Sequence, residues 1–264
     1  MSPLFSVILP TLNSARTIDV CLASLLSQTL DDLEVIVVDG VSSDDTSERV
    51  AAWARSDPRV RWFSGKDRGI YDAMNRGMSL ARGRWLYFIG SDDVLASADV
   101  FERVAAQASN HRVLYGSVQI VGDAPWAAHG SLYDGRFSVR KLLTRNICHQ
   151  AMFYRRDFVE QSIGIYAIEF PVCADWDFNL RCRAKTRFHF LNLTIAIFQT
   201  GGQSTENAYD AAFTEGFVER SLGYLGMSPI HPVSLAAFSR RKRELLGYWW
   251  RTMKAKTAFL DARR

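Results

Sequence analysis

The chain alternates near-continuous apolar runs with stretches that are apolar at helical spacing, the signature of strands buried on both faces beneath covering helices. Leu4–Leu9 (LFSVIL) is the first such run, and Pro10, which cannot donate a ladder hydrogen bond, is expected to end it. Thr11-Leu12-Asn13-Ser14 follows, with Asn13 or Ser14 suited to cap a helix that carries Ile18, Cys21, Leu22, Leu25 and Leu26. A second strand, Glu34–Val38, runs into Asp39-Gly40, and Ser42, Ser43, Asp44 and Asp45 stand ahead of a helix over about Thr46–Arg55. Val60–Phe63 reads as a short strand and Ile70 to about Ala81 as a helix. Trp85–Ile89 is five apolar or aromatic residues in a row, the pattern of a central parallel strand, and it opens onto Gly90-Ser91-Asp92-Asp93.

The second half is less regular. A helix over Ala98–Ala108 and a strand over Val113–Ile120 lead into a long loop, Val121–Phe137, where periodicity is lost; loops of that length are often binding loops. Ser138–Thr144 reads as helix, Ala151–Tyr154 as a short strand, Ala174–Ala184 as helix and Phe188–Ile197 as strand. A flexible stretch begins at Gly201, and the chain turns helical again from about Pro232. Strands and helices in alternation predict an α/β fold with a mostly parallel central sheet.

In an open sheet of that kind, ligands collect beyond the carboxyl ends of the strands. Thr11, Asp39, Asp92 and Asp93 all fall at such ends, on one edge. Two adjacent carboxylates repel, and a bound divalent cation removes that cost; oxygen ligands suit Mg²⁺ or Mn²⁺. The competing reading of Ser91-Asp92-Asp93 is a solvated turn that caps the next helix.

At 264 residues, with 48% hydrophobic and 23% charged positions, the chain can hold one large α/β domain, or one with an appended element. Its apolar runs of about five or six residues are far shorter than the ~20 that cross a bilayer. The first residues show no basic segment ahead of a long apolar one, and the four cysteines show no paired spacing, so a cytoplasmic, reducing location is expected. The net charge of +4 is uneven. Nine Lys or Arg against two acids between Arg240 and Arg264 leave residues 1–239 at −3. Leu245, Leu246, Trp249, Trp250, Met253, Phe259 and Leu260 recur near helical spacing in that segment, so a C-terminal amphipathic helix is expected. It either docks on the body or another subunit, or lies peripherally on an anionic membrane, at its inner face, through residues 240–264.

Taken together, six segments carry a resemblance to the inverting family 2 glycosyltransferases of the GT-A fold, in the branch that builds bacterial surface polysaccharides. They are Ser6–Asn13, Val37–Gly40 with Ser42-Ser43-Asp44, Asp67–Gly77, Gly90–Asp93, Asn146–Gln150 and Ala174–Asp177. The likeness covers roughly residues 4–205 and implies a GT-A, Rossmann-like domain over 1–205, its nucleotide-sugar half about 1–120 and its acceptor half about 121–205; beyond it, 206–264 is expected as a helical extension. It also implies residue roles. Pro10, Thr11, Asn13 and Asp39 would meet the donor nucleotide, Asp39 by accepting from the uracil ring. Asp67 and Asp72 would line the same pocket, or else form surface ion pairs with Arg68 and Arg76. Asp92 and Asp93 would hold the Mn²⁺ or Mg²⁺ cation and a ribose hydroxyl, although the family's commoner pattern has a further Asp where this chain has Gly90. Asp175 would be the catalytic base, standing beside Ala174 where the family has Glu; without the likeness it reads as a helix cap rather than a base. His149, Gln150 and Trp176 would contact phosphate or acceptor.

The expected activity is transfer of a sugar from a nucleoside-diphosphate sugar, of the UDP class, to a saccharide or lipid-linked acceptor, with no nucleic-acid partner. Two alternatives stand beside it. A sugar nucleotidyltransferase would want a Gly-rich basic loop after the first strand, which Pro10–Ala15 is not. A non-catalytic saccharide- or partner-binding module is kept open by Gly90 and Ala174.

Overall fold

A computed structural model of the chain describes residues 2–122, 127–133, 135–201, 210–241, 243–246 and 250. Its strands are β1 (Phe5–Thr11), β2 (Leu33–Asp39), β3 (Val60–Ser64), β4 (Trp85–Phe88), β5 (Val94–Leu95), β6 (Val113–Val121), β7 (Leu132–Tyr133), β8 (Met152–Arg155) and β9 (His189–Gln199). They form one sheet in the order β3-β2-β1-β4-β8-β6-β9-β5, with β7 paired to β6. The β3-β2-β1-β4 half is parallel throughout, β8 is antiparallel to both its neighbours, and β6 and β9 run parallel. The helices are α1 (Ile18–Leu26), α2 (Thr46–Ser56), α3 (Ile70–Leu80), α4 (Val100–Ala105), α5 (Val139–Leu142), α6 (Arg156–Phe158), α7 (Ala174–Lys185), α8 (Ala211–Thr214), α9 (Phe217–Leu225) and α10 (Pro232–Ala237).

The near-continuous apolar runs are explained by two cores, one on each face. Phe5, Val7, Leu9, Val35, Val37, Trp85 and Tyr87 enter the cluster that also holds Ile18, Leu22 and Leu25 of α1, Val50 of α2 and Phe101 of α4. Ile8, Ile36, Val38, Leu86 and Phe88 enter the opposite cluster, with Met74 of α3 and Phe178 of α7. Successive strand side chains point to opposite faces, so a strand covered on both sides must be apolar at both phases.

Several expectations need correction. β1 does not end at Pro10 but continues to Thr11, which pairs with Asp39. Ile8 accepts from Ile89 on the β4 side, so Pro10, two residues on, turns its missing N–H to that same side, where pairing has stopped at Ile8 and Phe88. The loop over Val121–Phe137 contains β7, and β5 lies where no element was expected; two-residue strands are too short to show a period. α4 is shorter than the predicted Ala98–Ala108, and β9 extends beyond Ile197 to Gln199.

Beyond residue 210 the described chain docks on the body. α9 packs on α7 and α10 on α5. Phe213, Phe217, Leu222, Phe238 and Leu245 are buried in the same cluster as Phe178. The amphipathic helix expected over 240–264 lies mostly outside the described residues, as does most of the stretch after Gly201 that was expected to be flexible. Among the described residues no helix is long and apolar enough to cross a membrane.

Candidate active site

The strand order β3-β2-β1-β4 reverses direction at β1, so the crevice between the ends of β1 and β4 is where an open sheet of this topology accepts a ligand. A cleft of about 770 Å³ opens there. Its walls include Pro10–Ser14 at and just beyond the end of β1, Gly90–Asp93 after β4, Gly69–Tyr71 at the start of α3, His149-Gln150 ahead of β8, and Phe198-Gln199 at the end of β9.

The loop after β1 is laced to the loop after β2 by small polar side chains. Asn13, at φ 50, adopts the left-handed region that Asn tolerates better than most residues. Its Oδ1 accepts from Ser43 N at 2.8 Å, and its own N–H donates to Ser42 Oγ at 2.8 Å. Ser14 N donates to Thr46 Oγ1 at 2.7 Å, and Ala15 N to Asp44 at 3.1 Å. A hydrogen bond of 2.7 Å between the Ser14 and Ser91 hydroxyls then ties this pair of loops to the one after β4. Arg16, Thr17, Asp44 and Ser91 also line the cleft. Asp44 and Ser91 were visible only as parts of motifs, and Arg16 carries no sequence signal at all.

The acidic residues expected in the nucleotide pocket divide. Asp67 lines the cleft and accepts from Gly69 N at 2.9 Å. Asp72 does not line it: the Arg68 guanidinium and backbone N–H bind its carboxylate and hold it below the usual range. Asp39 is fully buried and is likewise absent from the walls. Its carboxylate accepts from Ser42 N and Oγ, from Ser47 Oγ at 3.2 Å and from Ser64 Oγ at 2.8 Å.

Asp92 and Asp93 both line the cleft, Asp92 half-buried and Asp93 only 1% exposed. Asp93 Oδ1 accepts from Gln199 N at 2.9 Å and Oδ2 from Gln150 Nε2 at 2.7 Å. Burial, reinforced by the charge of Asp92, pushes the Asp93 carboxyl up to about 7. A Cβ at Gly90 would lie 2.7 Å from Asp92 Oδ1 and 2.9 Å from Asp93 Oδ2. The two carboxylates therefore converge on the space above Gly90, and an Asp at that position would have to displace them. Among the described residues no set of three His, Cys, Asp or Glu side chains forms a complete metal cage. A pair of carboxylates nevertheless fits Mg²⁺ or Mn²⁺, which commonly take one or two carboxylates and complete their shell with water and substrate phosphates.

Asp175 sits in the first turn of α7, whose N-cap is Cys173, and its side chain is not spent on capping its own helix. Oδ1 accepts from the Tyr71 hydroxyl at 3.1 Å, and Oδ2 faces His149 Nδ1 at 3.4 Å. At 8% exposure it is enclosed on the cleft side of the molecule; Tyr71 and His149 line the cleft, and Asp175 stands behind them. The Tyr71 proton is shared with the Val172 carbonyl at 2.8 Å, and burial together with the Asp175 charge pushes this hydroxyl well above its ordinary range. The turn into α7 is held by Asp210, which accepts from Val172 N at 3.1 Å, Cys173 N at 3.2 Å and Phe213 N at 2.9 Å. Nothing in the sequence singled out Asp210 or Tyr71 for these contacts. Asp177 is structural: it accepts from Arg181 at 2.8 Å and from the Tyr224 hydroxyl at 3.0 Å, which fastens α9 to α7.

Trp176 is not brought to the cleft. Its indole N–H donates to the Leu142 carbonyl at 2.7 Å, and its ring packs on Phe213 and Phe217 at 5.3 and 5.1 Å. Consecutive helical residues point about 100° apart, so Asp175 facing the cleft turns Trp176 toward the C-terminal helices. Those helices, absent from any local pattern, are what occupy its ring.

Comparisons with known proteins agree with this architecture. The family model described as "Glycosyl transferase family 2" matches residues 6–162. A "PGL/p-HBAD biosynthesis glycosyltransferase" of Mycobacterium bovis is 39% identical over 216 residues, 80% of this chain and 83% of that protein. An "Uncharacterized glycosyltransferase EpsJ" of Bacillus subtilis is 29% identical over 230 residues, covering 81% of this chain and 67% of that protein. Among solved structures, S. aureus TarS 1–349 in complex with UDP-GlcNAc superposes with a TM-score of 0.68 at 21% identity, over 83% of this chain and 64% of that one. A mannosyltransferase from Pyrobaculum calidifontis in complex with GDP-Man and Mn²⁺ superposes at 0.60 with 16% identity, over 98% and 81%. At such identities the structural matches speak for the fold alone.

Proposed function

The chain belongs to glycosyl transferase family 2, and from that premise we propose that it transfers a sugar, with inversion at the anomeric carbon, from a UDP-sugar to a hydroxyl of a saccharide or lipid-linked acceptor. The TarS complex with UDP-GlcNAc supports the donor class. Nucleoside and ribose go to the wall built by Pro10–Asn13 and Asp67, and the diphosphate to Asp92 and Asp93. Asp39 serves that wall from beneath, through the serine that it shares with Asn13.

Asp92 and Asp93 would hold the Mn²⁺ or Mg²⁺, which stabilises the charge that develops on a departing diphosphate by several kcal/mol. Asp175 supplies the carboxylate toward which the acceptor proton moves, as an attack opposite the leaving group requires. One observation carries the reading. The consecutive residues His149 and Gln150 touch Asp175 with one side chain and Asp93 with the next, so the two acidic centres are joined across a single cleft.

The test is release of UDP from a panel of UDP-sugars, with Mn²⁺ and after chelation, by the unaltered protein and by Asp175→Asn. Metal-dependent release by the first, reduced on the order of 10²-fold or more in the second, supports transfer. Equal background from both would leave a binding module.

A further inference from the structure

Asp175 and the donor wall belong to different halves of the cleft, yet one helix reaches both. α3 starts at Ile70, directly after Asp67 and Gly69 of that wall. It carries Tyr71 and Asn75 four residues apart, a spacing that puts two side chains on one face. Asn75 grips the backbone of Tyr166 twice, Nδ2 donating to its carbonyl at 3.0 Å and Oδ1 accepting from its N–H at 2.8 Å. The Tyr166 ring lies 5.4 Å from that of Tyr71 and 4.4 Å from that of Phe178 in α7. Tyr71 holds the far end of the same segment. Its hydroxyl reaches the Val172 carbonyl at 2.8 Å and Asp175 Oδ1 at 3.1 Å, 104 positions along the chain.

That hydroxyl has one proton for two acceptors. Burial keeps it protonated, so it serves as a donor and not as a base. Opposite an ionised Asp175 the proton is drawn to Oδ1, because a hydrogen bond to a charged acceptor is the stronger one. Once Asp175 carries a proton that advantage is gone, and the Val172 carbonyl keeps the hydroxyl paired. The other Asp175 oxygen meets His149 Nδ1 at 3.4 Å, a longer contact, so Tyr71 is the firmer of the two side chains that hold the carboxylate.

Resting on the transferase reading, we infer that Tyr71 is a positioning residue for Asp175. From the donor side of the cleft its hydroxyl fixes the orientation of the carboxylate and favours the ionised form, the one able to receive the acceptor proton. Asn75, one turn further along α3, anchors the same segment at Tyr166. The base is thereby set by the helix that starts at the donor wall. Tyr71 itself lines the cleft, so the competing roles are direct contact with the donor and a bond that merely secures the fold.

The experiment compares Tyr71→Phe, which keeps the ring and removes only the hydroxyl, with the unaltered protein. Its readouts are kcat and KM for UDP release from the UDP-sugar that is turned over, UDP binding by calorimetry, and melting temperature. The variant is expected to lose on the order of tenfold in kcat, with KM and UDP affinity unchanged. In an Asp175→Asn background the same substitution should alter the residual rate by less than about twofold, because the hydroxyl then has no carboxylate to hold. Full kcat in Tyr71→Phe overturns the inference. So does a raised KM or weaker UDP binding at unchanged kcat, which makes Tyr71 a donor contact. An undiminished loss in the Asp175→Asn background overturns it as well, since the hydroxyl then acts through Val172 alone. A kcat restored by assay well below a lowered melting temperature does the same, leaving a bond that secures the fold. Should Tyr71→Phe not fold, full kcat in Asn75→Ala overturns it. If the unaltered protein releases no UDP from any donor, the transferase reading falls and the inference with it; if it does and Tyr71→Phe keeps full kcat, only the role of Tyr71 falls.

Discussion

Asp39 and Asp93 invite comparison, since each is a buried carboxylate at the carboxyl end of a strand of the parallel half-sheet. Asp39 is surrounded by donors: the Ser42 N–H and the hydroxyls of Ser42, Ser47 and Ser64 all converge on it. Asp93 has the Gln150 amide and the Gln199 N–H, and Asp92 close by adds a like charge. Burial is the same in both, so burial does not tell an anchor from a working group. What tells them apart is whether neighbours satisfy the charge. Asp39 is satisfied and holds the loop that contacts Asn13; Asp93 is held up to about 7 and has an unmet demand for positive charge.

Substituting the two residues should therefore separate activity from stability. Asp93→Asn is expected to lower metal-dependent turnover on the order of 10²–10³-fold, with the melting temperature of the metal-free protein unchanged or higher. Asp39→Ala should do the reverse. With the hydrogen bonds that its carboxylate accepts from half-buried Ser42 and Ser47 and from exposed Ser64 removed, the protein should lose about 2 kcal/mol of stability in denaturant titration, and turnover should fall only as far as folding does. An Asp39→Ala protein of full stability and no activity would break the contrast.

A subtler probe is Gly90→Ala. The added Cβ intrudes on both carboxylates, at 2.7 and 2.9 Å from their oxygens. The Mn²⁺ concentration for half-maximal activity should rise about tenfold, at little cost in melting temperature.

The smallest effect expected is on pH. The ordinary carboxyl titrates near 3.9, and in the folded protein Asp93 is raised to about 7. The folded state therefore binds that proton more tightly than the unfolded state does. This contribution to stability is present below about pH 4, declines as pH rises toward about 7, and is absent above. Because Asp92 and Asp93 share the charge, the slope belongs to the pair. The melting temperature of the metal-free protein should accordingly fall across that range; Asp93→Asn should flatten the slope, and saturating Mn²⁺ should stabilise more at pH 8 than at pH 5.

Much of this molecule could be read locally. The strands β1, β2 and β4 follow from apolar runs, and the polar residues Thr11, Asp92 and Asp93 stand within a few positions of where those runs stop, although β1 continues through Pro10 to Thr11. The likeness of six ordered segments to family 2 transferases named Asp175 and the His149-Gln150 pair; the structure puts the pair in the wall of the cleft and Asp175 behind it, against His149. Trp176 shows the opposite outcome, because its partners, Phe213 and Phe217, come from helices that no local period announced.

The sequence by itself determined where the longer strands and helices of the first half lie, and at which strand ends the acids appear, because side-chain periodicity is imposed by neighbours along the chain. Only the tertiary structure decided that Asp39 turns inward to three serines, that Gln199 meets Asp93 from 106 positions away, and that His149 stands between Asp175 and the cleft. Those contacts depend on which strands become neighbours and on how far each loop reaches, and neither is encoded in any single segment.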